Sequence, residues 1–237
     1  MDMTTSLKPT LSTFESLFSK LNDQYFEGEL QPAVIAVAPD AKKRAYGWCT
    51  GWKAWGSGRA LTMDELVAMS EEEIERLNDE GFYEINICAE YLTRPLTDVV
   101  GTLLHEMVHL YNLQIGVKDT SRNGYYHNKA YRDAALTHGL NCYKEGSYGY
   151  CRTKLNDEAE QFVRTLGDIS FDLYRKPMYR KGGNGTGGAE ESDEPKQTSR
   201  KYVCPSCGNS VRATKEVHIK CMDCDLPMKW DLKEKNL

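Results

Sequence analysis

The sequence predicts an α+β fold for most of its length and a small separate module at its end. Three observations carry that expectation. Stretches with helical spacing and stretches of period two both occur before residue 178, without the regular βαβ alternation of a parallel sheet. Residues 178–200, MYRKGGNGTGGAEESDEPKQTSR, combine five glycines with an acidic patch and offer nothing to pack. Beyond them, Cys204, Cys207, Cys221 and Cys224 form two CxxC pairs. The expected organisation is therefore a body over 11–177, a flexible linker over 178–200 and a four-cysteine module over 201–231.

Composition supports a packed body. Of 237 residues, 40% are hydrophobic and 10% aromatic, enough for a core, and the net charge is -5. The longest apolar runs, such as Ala33–Ala38, fall far short of the roughly 18 residues a membrane-spanning helix needs. The first residues show no basic start, apolar run or small-residue cleavage site, so a reducing, cytoplasmic setting is expected. In that setting a regular cysteine spacing points to metal rather than to disulfides.

Within the body, Ser12 and Glu15 have capping-box spacing, and Phe14, Leu17, Phe18, Leu21 and Tyr25 then recur at helical intervals until Gly28. Ala33–Ala38 and Arg44–Trp55 are expected to pair as a hairpin, Tyr83–Cys88 to form a third strand, and the polar segment 61–80 between them an exposed helical excursion. Pro95 opens a helix apolar around most of its girth and hence buried. A helix from His127 to His138, a hairpin over 142–154 and a last helix capped by Asn156, with Ala159, Phe162, Val163, Leu166, Ile169 and Leu173 on one face, complete the body.

The buried helix carries the chemistry. Leu104-His105-Glu106-Met107-Val108-His109 is an HExxH motif. Histidines four apart lie about 40° apart on one helical face, so both imidazoles can reach one ion. Glu106 points aside from that axis but stays close enough to accept a proton from an activated water. The bland alternative is a pair of satisfied core histidines. It would leave several polar groups buried on an apolar helix, which is costly unless a metal completes them.

Catalytic zinc usually takes three protein ligands. His218 lies in the separate tail. His127 and His138 are eleven residues apart, about 16 Å along a helix, so only one can join. His127 is favoured, because the loop ending Gly124-Tyr125-Tyr126 can turn it back towards His105 and His109, whereas His138 beside Gly139 reads as a solvated histidine favoured by the helix dipole. A glutamate, Glu145, Glu158 or Glu160, is the alternative third ligand. The metzincin pattern is absent, with Asn112 and Ile115 where its glycine and third histidine would stand.

With these residues in place the chain resembles the SprT-like zinc metallopeptidases, the group that includes the Spartan DNA–protein crosslink proteases. Asn22–Leu30 (NDQYFEGEL), Arg44–Trp48, the HEMVH helix and Gly124–His127 leading into Asn128–Tyr131 carry the likeness, over about residues 11–175. Asn128 stands where familiar members have glycine, Tyr131 keeps their aromatic, and segment 61–82 exceeds a minimal domain. The resemblance implies a zincin-like domain with a small antiparallel or mixed sheet and the HExxH helix. It also implies His105, His109 and His127 as zinc ligands and Glu106 as catalytic acid or base.

The tail spacing, CxxC-x13-CxxC, is near that of a zinc ribbon, in which four thiolates close a tetrahedral structural site. Two zinc ions are thus expected, one catalytic and one structural. Residues from Arg200 onward carry a net +3 and those before them -8. Tyr202, Arg212, Lys215, Lys220 and Trp230 could supply phosphate and stacking contacts. The expected activity is zinc-dependent peptide-bond hydrolysis of a protein or peptide substrate, with DNA as a partner through the ribbon and no membrane partner. Strand Glu84–Cys88 is expected to hold substrate by edge pairing. The competing readings are a nucleic-acid-associated binding or regulatory protein with a weak or inactive HExxH site, and hydrolysis of a small amide.

Overall fold

Residues 5–40, 45–176 and 200–230 are described by the computed structural model. The chain divides into two compact units, Met1–Met178 and Tyr179–Leu237. The stretch 178–200 read as a linker lies, except for Arg200, outside the described residues.

Helix α1, Lys8–Tyr25, buries Phe14, Leu17 and Leu21. It starts one turn before the expected Ser12 cap, because Pro9 sits in the first turn with its φ already set for a helix. The first sheet then assembles in an unexpected order. Strands β1 (Val34–Ala38) and β2 (Gly47–Cys49) do not form a hairpin. Instead β3 (Glu84–Cys88) runs between them, parallel to β1 and antiparallel to β2. The reason is burial. Ile85, Asn86, Ile87 and Cys88 are all at 0% exposure, and a strand covered on both faces takes the centre, where all its backbone groups are paired.

Between β2 and β3, helices α2 (Met63–Ala68) and α3 (Glu71–Asp79) form the expected exposed excursion and bury no residue. Each starts on a capping box, Thr62 with Glu65 and Ser70 with Glu73, so the excursion is two helices rather than one.

Helix α4, Leu96–Gln114, is the axis of the body. Val99, Val100, Leu103, Leu104, Met107, Val108 and Leu110 are fully buried against α1, the first sheet and the second sheet. Each such side chain contributes about 1.5–3 kcal/mol on burial, so Leu103→Ala should cost about 2–5 kcal/mol.

The second sheet follows. Strands β4 (Thr120–Ser121) and β5 (Tyr126–His127) form a tight hairpin, helix α5 (Lys129–Thr137) comes next, and β6 (Leu140–Glu145) pairs with β7 (Gly149–Leu155). The spatial order is β4-β5-β7-β6, with His127 of β5 parallel to Gly149 of β7. Helix α6, Asp157–Thr165, is capped by Asn156 as expected, but it ends before Gly167, whose φ of +83° leaves the helical region. Ile169 and Phe171 therefore reach the core from irregular chain, with Phe171 stacked on Phe14 at 4.7 Å.

The second unit contains β8 (Arg200–Val203), β9 (Ser210–Ala213), β10 (Lys220–Cys221), β11 (Leu226–Pro227) and β12 (Lys229–Trp230), in a three-stranded sheet β12-β8-β9 and a hairpin β10-β11. Among the described residues, no helix is long and apolar enough to cross a membrane.

Candidate functional site

His105 and His109 project from one face of α4, as their spacing requires. His127 arrives from β5, the last strand residue before Asn128 caps α5 through bonds from the Ala130 and Tyr131 amides. It is a strand residue, not the first residue of a helix. Its Nε2 lies 3.2 Å from His105 Nε2 and 3.1 Å from His109 Nε2. Zinc–nitrogen bonds of about 2.0–2.1 Å at tetrahedral angles would set such nitrogens about 3.3 Å apart, so the spacing fits one shared zinc ion.

Three features pre-set this triangle. His109 Nδ1 lies 2.7 Å from Asp119 Oδ2, which also accepts a bond from Asn112 Nδ2 at 3.1 Å. His105 Nδ1 lies 2.9 Å from Thr153 Oγ1 on β7. With the outer nitrogens donating to these oxygens, the Nε2 lone pairs point inwards. The Tyr131 ring forms the floor, its centroid 4.5–4.8 Å from all three imidazoles and its hydroxyl donating to the His105 carbonyl at 3.4 Å.

Gly149 makes the approach of β5 possible. Its φ is +72°, and a Cβ there would sit 2.1 Å from the His127 carbonyl oxygen. A side chain would push β5, and His127 with it, off the site.

Electrostatics follow from burial. Desolvation, with the charges of His109 and His127, holds His105 well below the ordinary histidine range. Burial, then the His109 charge, pulls His127 down to about 4. Both are neutral near pH 7 and offer lone pairs. Burial also pulls His109 down, but the Asp119 hydrogen bond and the charges of Glu106 and Asp119 outweigh it and raise its pKa. Glu106 is pushed up to about 7 by burial, with His109 and a hydrogen bond from the Cys49 backbone N–H opposing the rise.

That last bond places β2 at the site. The bonds Thr50 N–H to Glu84 O and Cys88 N–H to Tyr46 O flank β2 and, with Trp48 opposite Asn86, mark alternate residues as facing β3, so Gly47 and Cys49 turn their backbone groups to the free edge. Gly47 lies directly against α4, where a Cβ would meet Thr102 Cγ2 at 3.2 Å and Glu106 Cγ at 3.4 Å. Strand β3 has neighbours on both sides and cannot pair with a substrate, which corrects the expectation placed on Glu84–Cys88.

The other candidates separate. Among the described residues, neither Glu145, Glu158 nor Glu160 joins the histidine cluster. His138 is not solvated. It is 8% exposed, stacked on Phe26 at 4.3 Å, with Nδ1 2.6 Å from the Tyr25 carbonyl, because Gly139 turns the chain back onto α1 there. In the second unit, Cys204, Cys207, Cys221 and Cys224 bring their sulfurs within 4.8 Å of one another, and exposed His218 is not among them. Cys207 and Cys221 are 3.7 Å apart, close to the 3.8 Å or so that zinc–sulfur bonds of about 2.3 Å give at tetrahedral angles. Backbone N–H groups of Cys207 and Ser206 hold the Cys204 thiol down at about 7, poised to give a thiolate ligand.

Asp119 and Thr153 were not singled out from sequence. Neither belongs to the HExxH motif, and no fixed spacing marks a residue that reaches His105 or His109 from outside their helix.

No curated protein and no solved structure matches the chain. The model of the SprT-like family matches residues 14–145, more than half of the sequence and a span that includes the whole histidine cluster. The chain belongs to the SprT-like family.

Proposed function

We propose that this protein is a zinc-dependent metallopeptidase with a zincin-like body, in which His105, His109 and His127 hold the catalytic zinc and Glu106 is the general base. The observation that carries the reading is the convergence of three inward-facing Nε2 atoms beside a buried carboxylate. Zinc in such a site supplies Lewis acidity, which polarises a carbonyl and lowers the pKa of water.

The chain's own residues do the rest. Glu106, with a pKa near neutrality, can accept a proton from water and return it to the leaving amine. The Cys49 N–H keeps its carboxylate aimed along the edge of β2. The outward backbone groups of Gly47 and the Cys49 carbonyl remain for an extended substrate, so β2 is the strand that would hold it. The buried Asp119 and Tyr131 and the partly buried Thr153 hold the ligands in place.

The four-cysteine unit is the proposed structural zinc ribbon. Its Trp230, beside Lys229 and Lys201 and with Arg200 5.2 Å over its ring, supports a role in gripping nucleic acid, which would direct the peptidase to DNA-associated proteins. A non-catalytic binding protein would have no use for a base beside an open three-histidine site.

Glu106→Gln tests the reading. The variant should retain zinc and fold while peptide cleavage falls at least about 100-fold. Full activity in Glu106→Gln would sink it.

A further inference from the structure

One cation at the edge of the site has no ion-pair partner among the described residues. Arg94 lies between β3 and α4 and is half-buried. Its Nε donates to the Tyr91 carbonyl at 3.0 Å and its Nη2 to Thr102 Oγ1 at 2.9 Å. The guanidinium lies 4.0 Å from the Tyr46 ring centroid and 5.8 Å from that of Tyr91, and the two rings meet edge to face at 4.7 Å. No carboxylate among the described residues forms an ion pair with it; Asp98 acts only at longer range. Burial lowers its pKa, the direction expected of a cation deprived of water without full compensation.

A guanidinium has five N–H donors, and these bonds use two. The remaining three are enough for a two-pronged grip on a carboxylate, the partner whose geometry a guanidinium matches best.

The location ties this group to the substrate path. Thr102, which Arg94 bonds, stands four residues before Glu106 on α4, and the Cβ position of Gly47 touches both Thr102 and Glu106. Tyr46, on which Arg94 rests, immediately precedes β2 and is 51% exposed. A peptide laid along the free edge of β2 past Glu106 therefore reaches the Tyr46–Arg94 pair as it passes Gly47.

We infer that Arg94, held flat by Tyr46, Tyr91 and Thr102, is a specificity residue that binds a carboxylate of the peptide substrate beside Gly47. The inference rests on the peptidase reading and on β2 as the substrate strand. An Asp or Glu side chain and a free C-terminal carboxylate present the same chemistry.

The test uses the full zinc-loaded chain and internally quenched peptide libraries in which one position at a time is fixed as Glu, Gln or Lys, each with a free or an amidated C-terminus. Wild type should cleave one Glu-fixed set at least about tenfold faster than its Gln-fixed counterpart, the size of a charge-assisted hydrogen bond. Equal cleavage of the Glu-fixed and Gln-fixed sets, with a loss of at least about tenfold in both on amidation that Arg94→Gln abolishes, would instead assign the carboxylate to the C-terminus. In Arg94→Gln the Glu-to-Gln ratio should fall towards one, and in Arg94→Glu the preference should pass to the Lys-fixed set, a gain that misfolding cannot produce.

In parallel, fluorescence anisotropy on Glu106→Gln, with and without Arg94→Gln, reads binding of the same Glu and Gln peptides without turnover. Cleavage indifferent both to Glu and to amidation, or an Arg94→Gln loss equal for all peptides, free and amidated, overturns the inference and leaves the peptidase reading standing. Arg94-dependent binding of acidic peptides with no cleavage by wild type does the reverse. Neither cleavage nor selective binding overturns both.

Discussion

Asp119 meets His109 through a 2.7 Å contact between Oδ2 and Nδ1, while its backbone carbonyl accepts the Asn128 N–H at 2.9 Å. One residue thus orients His109 on α4 and anchors the start of the helix that follows His127. A carboxylate behind a metal-bound imidazole fixes its tautomer and raises its basicity.

Asp119→Ala should therefore weaken zinc binding in the body about 10–100-fold, as other losses of such supporting partners do. Chelator competition on the full chain measures this, with the ribbon zinc as an internal reference that should not change.

Gly149→Ala should displace His127. The required backbone, φ +72°, and the 2.1 Å clash with the His127 carbonyl leave the new methyl no room. A cost of about 1–3 kcal/mol for backbone strain alone is expected, with loss of zinc from the body beyond that. Gly124→Ala also has a positive φ but meets open space, so it should lose stability while keeping its zinc. Thermal unfolding and metal content together separate the two.

His138 gives a pH dependence. Burial lowers its pKa below the ordinary 6.5, with the Tyr25 carbonyl bond partly offsetting. The folded state thus favours the neutral ring. That contribution is complete above about pH 6.5 and is lost as pH falls below it, because the unfolded chain takes up the proton first. His138→Gln should be less stable than wild type at pH 8, with the gap narrowing by pH 5. A gap that stays constant across that range would mean that His138 does not titrate between the two states.

Cys221→Ser should remove the ribbon's zinc and, with it, most of its folding energy, since so small a unit has little core of its own. Zinc should fall from two per chain to one, and backbone amide signals of β8 to β12 should lose their dispersion. Zinc retained at two per chain would contradict a four-thiolate site.

Much of this protein is legible in its sequence because its main signals are local. The HExxH spacing sets His105 and His109 on one helical face whatever surrounds them, the paired CxxC spacing gathers the four C-terminal thiols, and Asn156 caps α6 through its own next turn. His127 was selected because the loop before it could turn it back towards His105 and His109; it proved to sit on a strand, and its Nε2 meets theirs through the β4–β5 hairpin.

Only the tertiary structure decided the rest. The order β1-β3-β2 puts the free edge beside Glu106 on Gly47–Cys49 rather than on Glu84–Cys88, and nothing in alternating residues specifies which strand lies in the middle. His138 was read as solvated from its place at a helix end, but the return of the chain onto α1 buried it against Phe26. Asp119, Thr153 and Arg94 acquire their partners from other elements, across separations that no periodicity encodes. Spacing fixes what a residue can do with its neighbours along one helix or knuckle, whereas a contact between elements depends on how the whole chain divides its apolar surface between them.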